Sequence, residues 1–357
     1  MSSRESVTFG KTGGWSAYFL VILICLLVLA FTLSWLLTGQ LRRYALARKL
    51  LDVPGQRSSH SQPTPRGGGL AIVVSFLGLG LLLAWQLGFT PLTTALVGAA
   101  SWVAILGFAD DHGHIPAGWR LLGHLAAALW VVYWLGLPEF LVFGYALGYW
   151  LYVPVILYLM WLLNLFNFMD GIDGIASVEV LSVSLGAALF YFLSPMAMPV
   201  SGWLLLLLAA ATLGFLLWNL PPAKIFMGDV GSSTLGVILA IFSLEAALHS
   251  PIWFWAWQIL LAVFITDASF TLLRRLVRGE KIYQAHRSHA YQRAARALGS
   301  HGRVSLGVGL INVLWLLPLA LVVALEILAP LWGLLLAYVP VLGLVVYWGA
   351  GASEEKQ

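Results

Sequence analysis

Apolar runs long enough to cross a lipid bilayer recur throughout this chain, and its seven aspartates fall at the ends of those runs. A spanning helix needs about 20 mostly apolar residues. About eleven candidates can be read, at roughly 17–37, 69–87, 92–108, 121–136, 150–168, 175–194, 202–218, 233–248, 252–272, 304–325 and 330–348. With 61% hydrophobic and 10% charged residues and a mean hydropathy of +0.90, the chain lies far above the apolar share of a soluble domain. The expected fold is all-α: one polytopic integral membrane domain over residues 1–357, of about 11 transmembrane helices. Its chemistry falls in cytoplasmic loops at about 38–68, 109–120, 169–174, 219–232 and 273–303. The first span is too long for a signal-peptide core and is read as retained.

Threading the runs back and forth places seventeen of the nineteen lysines and arginines on one side, leaving Arg4 and Lys11 opposite. The positive-inside rule makes the crowded side cytoplasmic. The amino terminus is then outside, the carboxyl terminus inside, and the aspartates face the cytosol of a bacterial inner membrane. The single Cys25 reads as a packing residue. Tryptophans near span ends, such as Trp85 and Trp348, read as interfacial anchors.

Asp52, Asp110, Asp111, Asp170, Asp173, Asp229 and Asp267 thus share one membrane face. Carboxylates are costly near lipid, so their convergence marks a functional site. Asp110 and Asp111 close the third run. The fifth ends NLFNFMDGIDG, with Asn164, Asn167 and Asp170 on one helical face, while Gly171 and Gly174 free the backbone to turn Asp173 toward the same point. In PPAKIFMGDVGSS, Asp229 lies between Gly228 and Gly231, and Lys224 supplies a positive charge. So many carboxylates in one basin require a cation or protonation. Oxygen ligands without Cys or paired His favour Mg²⁺ or Mn²⁺, which implies a phosphate or diphosphate substrate. Two basic loops agree. One is RSSHSQPTPRGGG, with Arg57, His60 and Arg66; the other is the HRSH segment with His286, Arg287 and His289. Both suit anionic groups.

These motifs, with DVPGQRSSHSQPTPRGGG and GDVGSSTLG in the same order, resemble the polyprenyl-phosphate N-acetylhexosamine-1-phosphate transferase family (glycosyltransferase family 4). The resemblance spans about residues 40–300. It implies a polytopic helical enzyme that moves a sugar 1-phosphate from a UDP-N-acetylhexosamine to undecaprenyl phosphate with Mg²⁺, releasing UMP. By the same resemblance, Asp229 and Asn167 neighbour the metal. Asp110, Asp111, Asp170 and Asp173 are the catalytic and diphosphate-site acids, and His286, Arg287 and His289 lie over the donor. PTPRGG and HRSHAYQ replace the PTMGG and consecutive histidines of the peptidoglycan branch. The PTPR loop is more similar to initiators of O-antigen, enterobacterial common antigen or teichoic acid chains, and HRSHAYQ to O-antigen initiators that accept UDP-FucNAc or UDP-QuiNAc. A phospho-MurNAc-pentapeptide transferase is the alternative within the family, and an ion-coupled transporter the alternative outside it. One displacement and a two-step route through a phospho-aspartate are both open. The expected partners are the acceptor lipid, the nucleotide sugar and the bilayer, with no nucleic acid; a homodimer is open.

Overall fold

A computed structural model describes residues 17–54, 62–113, 115–142, 145–193, 199–280 and 286–353. Arg57 and His60 lie outside the described residues. The helices are α1 (Ala17–Ala47), α2 (Leu70–Leu87), α3 (Pro91–His112), α4 (Ala117–Leu135), α5 (Tyr152–Met169), α6 (Ile175–Leu193) and α7 (Pro199–Asn219). They continue with α8 (Asp229–His249), α9 (Pro251–Leu260), α10 (Ala262–Val277), α11 (Ala290–Leu298), α12 (His301–Ile311), α13 (Leu317–Ala324) and α14 (Pro330–Tyr347). Short antiparallel pairs join β1 (Leu51–Asp52) to β2 (Thr64–Pro65) and β3 (Leu141–Val142) to β4 (Tyr145–Ala146).

Every expected run falls on a helix, but the count of eleven spans is not reproduced. Among the described residues eight helices are long and apolar enough to cross a membrane, or nine if α9 and α10, bent by 74° at Leu261, form one broken span. The fourth segment carries Arg120 and His124 inside its helix, and α2 is a shorter apolar helix. The first helix runs ten residues past its expected end, because LTGQLRRYALA contains strong helix formers and no proline. Near the carboxyl terminus, a π turn at Asn312–Leu316 precedes Pro318, which cannot supply a ladder N–H.

The bundle is organised around α8, in which every residue from Val230 to Ala247 is buried. A helix apolar on all sides belongs in a core, and α8 packs against α3, α5, α9 and α2. Close approach depends on glycine. A Cβ added to Gly69 would lie 2.3 Å from the Gly231 Cα, and one added to Gly107 would lie 2.7 Å from the Asp229 carbonyl carbon. The amino end of α8 is thereby pressed onto the end of α3 and the start of α2. Backbone bonds from Gly68 N–H to the Phe226 carbonyl (2.9 Å) and from Gly69 N–H to the Met227 carbonyl (2.8 Å) fasten the loop before α2 to the loop before α8. One end of the bundle therefore gathers the helix ends that carry the aspartates.

Candidate active site

The site is built on the first turn of α8, where free backbone N–H groups favour an anion. Asp111 supplies it from the end of α3: its buried carboxylate accepts the N–H groups of Asp229 and Val230, each at 3.2 Å. Arg66 donates to the Asp111 carbonyl at 2.6 Å, and its Nε lies 4.0 Å from the carboxylate. Asp111 thus aims Asp229 while Arg66 holds Asp111.

Asp110 faces the other way. Its Oδ1 accepts the Ile115 N–H (2.7 Å), and its Oδ2 pairs with Arg120 Nη1 at 2.8 Å. The same Nη1 lies 3.3 Å from Asp229 Oδ2, so one guanidinium bridges two carboxylates. Asp229 Oδ1 accepts from Asn167 Nδ2 at 2.9 Å, and Asn167 also donates to the Ser232 hydroxyl at 3.2 Å.

The DGIDG turn follows α5. No hydrogen bond to the Asp170 carboxylate forms among the described residues. Burial, followed by the charges of Asp229, Asp111 and Asp173, holds that carboxyl well above the ordinary carboxylate range. Asp173 is committed to the scaffold. Its Oδ2 accepts the Ala223 N–H (3.1 Å), its Oδ1 lies 3.3 Å from His301 Nδ1, and its carbonyl accepts from Ser305 (2.8 Å). Gly174 has φ +80° and donates to Asn219 Oδ1 at 2.9 Å, the turn-back that glycine was expected to permit.

The late basic loop contains α11, a helix within the segment expected to be loop. Asp267 caps it: Oδ1 accepts the Ala290 N–H, and Oδ2 the Tyr291 N–H, each at 2.9 Å. His289 is buried with Nδ1 3.3 Å from Asp267, which directs this histidine to holding the loop. His286 stacks on His289 with ring centroids 4.8 Å apart, and Arg287 follows at the partly exposed edge. Tyr291 donates to the Phe168 carbonyl at 2.9 Å and fits against Gly171, so α11 is latched onto the DGIDG turn. Burial, then the charges of Asp267 and Asp170, keep its phenol protonated.

Two cavities open from this cluster. An acidic pocket of about 340 Å³ is lined by Asp52, Arg66, Asp111, Asn167, Asp170, Asp173 and Asp229, among others. An apolar groove of about 590 Å³ runs between α3, α4, α5 and α10, with Asp110, Arg120, Asn164, Asn167 and Asp229 at its polar end. Asn167 and Asp229 line both. Asn164 was expected beside Asn167 in the acidic basin; it lines the groove instead, and its amide donates to the Met160 carbonyl (2.7 Å). Lys224 is not brought to either cavity: its ammonium lies over the Trp218 ring, 5.6 Å from the centroid. Asp267, expected with the other aspartates, lines neither and serves α11.

Among the described residues no three His, Cys, Asp or Glu side chains are gathered into a metal cage. Mg²⁺ needs only one or two carboxylates when waters and substrate phosphates complete its shell. The oxygen-rich, cysteine-free lining therefore fits a hard cation that binds together with a phosphate ligand.

The sequence pattern of glycosyl transferase family 4 matches residues 93–247, which take in the fifth helix, nearly all of the third and eighth, and Asp110, Asp111, Asp170, Asp173 and Asp229. The chain is similar to a probable undecaprenyl-phosphate N-acetylglucosaminyl 1-phosphate transferase of Bacillus subtilis, 30% identical over 307 residues, covering 78% of this chain and 80% of the relative. The chain belongs to the polyprenyl-phosphate N-acetylhexosamine-1-phosphate transferase family. It is also similar to a decaprenyl-phosphate N-acetylglucosaminephosphotransferase of Mycolicibacterium smegmatis (31% over 330 residues; 77% and 75% covered). A phospho-N-acetylmuramoyl-pentapeptide-transferase of Shouchella clausii is 29% identical over 248 residues, covering 63% of this chain and 74% of the relative. Membership makes the protein a glycosyl-1-phosphate transferase, and its apolar helices make it a multi-pass membrane protein.

Within this transferase, none of the motifs read from the sequence contains Arg120. Its signal was present: a cation inside an apolar helix needs a carboxylate partner. Ser232, inside the GDVGSS motif, also lines the acidic pocket, as do Asn219 and His301, which no local pattern marked.

Proposed function

We propose that the transferase moves an N-acetylhexosamine 1-phosphate from a UDP-sugar to undecaprenyl phosphate at the cytoplasmic face of a bacterial inner membrane, starting an O-antigen or related envelope polysaccharide. The observation that carries this reading is the shared wall of the two cavities. A water-soluble anion in the acidic pocket and a lipid in the apolar groove would meet at Asn167 and Asp229. A transporter has no need of two chemically different cavities joined at one carboxylate.

In the proposed reaction an oxygen of the lipid phosphate attacks the sugar-bearing phosphorus of the donor. The bond to the bridging oxygen breaks, and UMP leaves with that oxygen and its electron pair. Such transfers depend on positioning and charge neutralisation. Arg66 beside Asp111, and Arg120 beside Asp110 and Asp229, supply fixed positive charge. The lipid phosphate is largely a dianion at neutral pH, so no strong base is needed. Asp111 is engaged by the α8 backbone and Asp110 by Arg120, which supports one direct displacement over a phospho-aspartate. A bound divalent cation, held by Asp229 and the Asn167 amide oxygen, would neutralise diphosphate charge. The recess around Phe226, Pro222 and His301 that adjoins the acidic pocket suits the nucleoside.

The HRSHAYQ loop supports a 6-deoxy donor such as UDP-FucNAc or UDP-QuiNAc, and the relatives' names support UDP-GlcNAc. Transfer of radiolabel from each of these into butanol-extractable lipid, with and without Mg²⁺, tests the reading. Transfer from one donor that needs both Mg²⁺ and undecaprenyl phosphate is expected; no transfer from any UDP-N-acetylhexosamine overturns it. For orientation, Arg287→Cys in a Cys25→Ser background should react with an impermeant thiol reagent only from the cytosolic side.

A further inference from the structure

We infer that His124 is a binding residue for the phosphate of the lipid acceptor. The inference rests on the reading of the apolar groove as the lipid site. His124 lies in α4 four residues after Arg120 and therefore on the same helical face, one turn farther along. Both line the groove. His124 is 93% buried by its 7% relative exposure, and its Nδ1 is enclosed without a hydrogen-bond partner.

A buried polar atom left unmatched in a folded protein calls for an explanation. Several other polar groups at this end of the groove already have protein partners. Arg120 Nη1 bridges Asp110 and Asp229, the Asn164 amide donates to the Met160 carbonyl, and the Asn167 amide donates to Asp229 and Ser232. The groove beyond is apolar, lined by Leu121, Leu157, Trp161 and Leu272. A ligand with an anionic head and a hydrocarbon tail meets this sequence of surfaces in order. Its phosphate oxygens reach Arg120, a turn of the His124 ring presents the enclosed nitrogen to them, and its tail continues along the leucines. Neutral imidazole carries one N–H in either tautomer, so the ring can donate to a phosphate oxygen without itself being charged. The chemistry selects a lipid monophosphate over the corresponding alcohol.

The test uses the full chain in nanodiscs, with undecaprenyl phosphate and undecaprenol as the two probes and native mass spectrometry as the binding readout. The unmodified protein should prefer the phosphate by at least about tenfold, the factor a charge-assisted hydrogen bond commands. His124→Phe fills the same space without nitrogen and should reduce that preference about tenfold, with undecaprenol binding unchanged. His124→Asn, whose amide nitrogen reaches the position of Nδ1, should restore most of it. If His124→Phe does not fold, His124→Leu takes its place. Undiminished preference for the phosphate in the Phe or Leu variant overturns the inference, as does equal loss of both ligands, which would indicate packing alone. Leu157→Trp narrows the groove and should weaken both ligands. If it does and the His124 variants behave as the unmodified protein, the groove reading stands and the histidine assignment falls; if it leaves both ligands unaffected, the groove reading falls and takes this inference with it.

Discussion

The carboxylate of Asp111 accepts the backbone N–H of Asp229 at 3.2 Å. A residue at the end of one helix thereby sets the position of the residue that opens another. The two adjacent aspartates of the third span have separate duties: Asp111 caps α8, and Asp110 holds Arg120. Loss of activity on replacing either would not by itself identify a nucleophile.

Removing the cap should therefore act through geometry. Asp111→Ala is expected to lose about 0.5–2 kcal/mol of stability and most transfer activity, whereas Asp111→Asn, which keeps one accepting oxygen, should retain more of both. Thermal denaturation in detergent, paired with radiolabel transfer, measures this. An Asn variant as inactive as Ala but as stable as the unmodified protein would return Asp111 to direct chemistry.

Arg120 holds two carboxylates on one nitrogen, so neutralising it leaves Asp110 and Asp229 facing each other without compensation. Arg120→Gln should lower kcat by about tenfold to a hundredfold, from a charge-assisted contact of about 1.5–3 kcal/mol. Arg120→Lys should recover part of that loss, because it restores charge without the planar fork. Equal kcat in the Gln variant and the unmodified protein would remove Arg120 from the site.

Asp170 yields a pH dependence. Its carboxyl is held above the ordinary range first by burial and then by the charges of Asp229, Asp111 and Asp173. A raised carboxyl pKa contributes stability that is fully present below the unfolded value and is lost as pH rises through the folded one. In EDTA the melting temperature should therefore fall from the acid side of that window toward pH 8. If Mg²⁺ binds beside Asp170, it should raise the melting temperature more at pH 8 than at pH 5. A Mg²⁺ increment that is equal at both pH values would separate Asp170 from the cation.

In the late loop, Arg287 is adjacent to histidines that the fold holds in place. Arg287→Lys keeps charge but loses two-pronged geometry and should raise donor KM about tenfold, with acceptor KM little changed. Loss of turnover at unchanged donor KM would shift the arginine's role to the transition state.

Gly69 tests the packing. Its Cβ would fall 2.3 Å from the Gly231 backbone, so Gly69→Ala should destabilise by about 1–3 kcal/mol through overpacking and displace the first turn of α8. A thermal melt unchanged by the substitution would show that α2 and α8 can separate at no cost.

The sequence by itself determined that the chain is a helical membrane protein with aspartates at one boundary, because apolar length and the cost of charge in lipid are local properties. It also marked Asn167, Asp170 and Asp229, whose motifs place them at helix ends. The duties of individual carboxylates depended on tertiary contact. Asp267 and Asp110 both read from the sequence as carboxylates near the end of an apolar run, yet one caps α11 and the other pairs with Arg120, and the approach of distant helices decides which. Lys224 is well placed by its position in the loop, yet its ammonium lies over the Trp218 ring. Likewise, nothing near His124 in sequence reveals that its ring lines a groove made by five helices. Helix ends are written in the chain, but which backbone donor or cation a side chain meets there is decided by the packing of segments far apart in sequence.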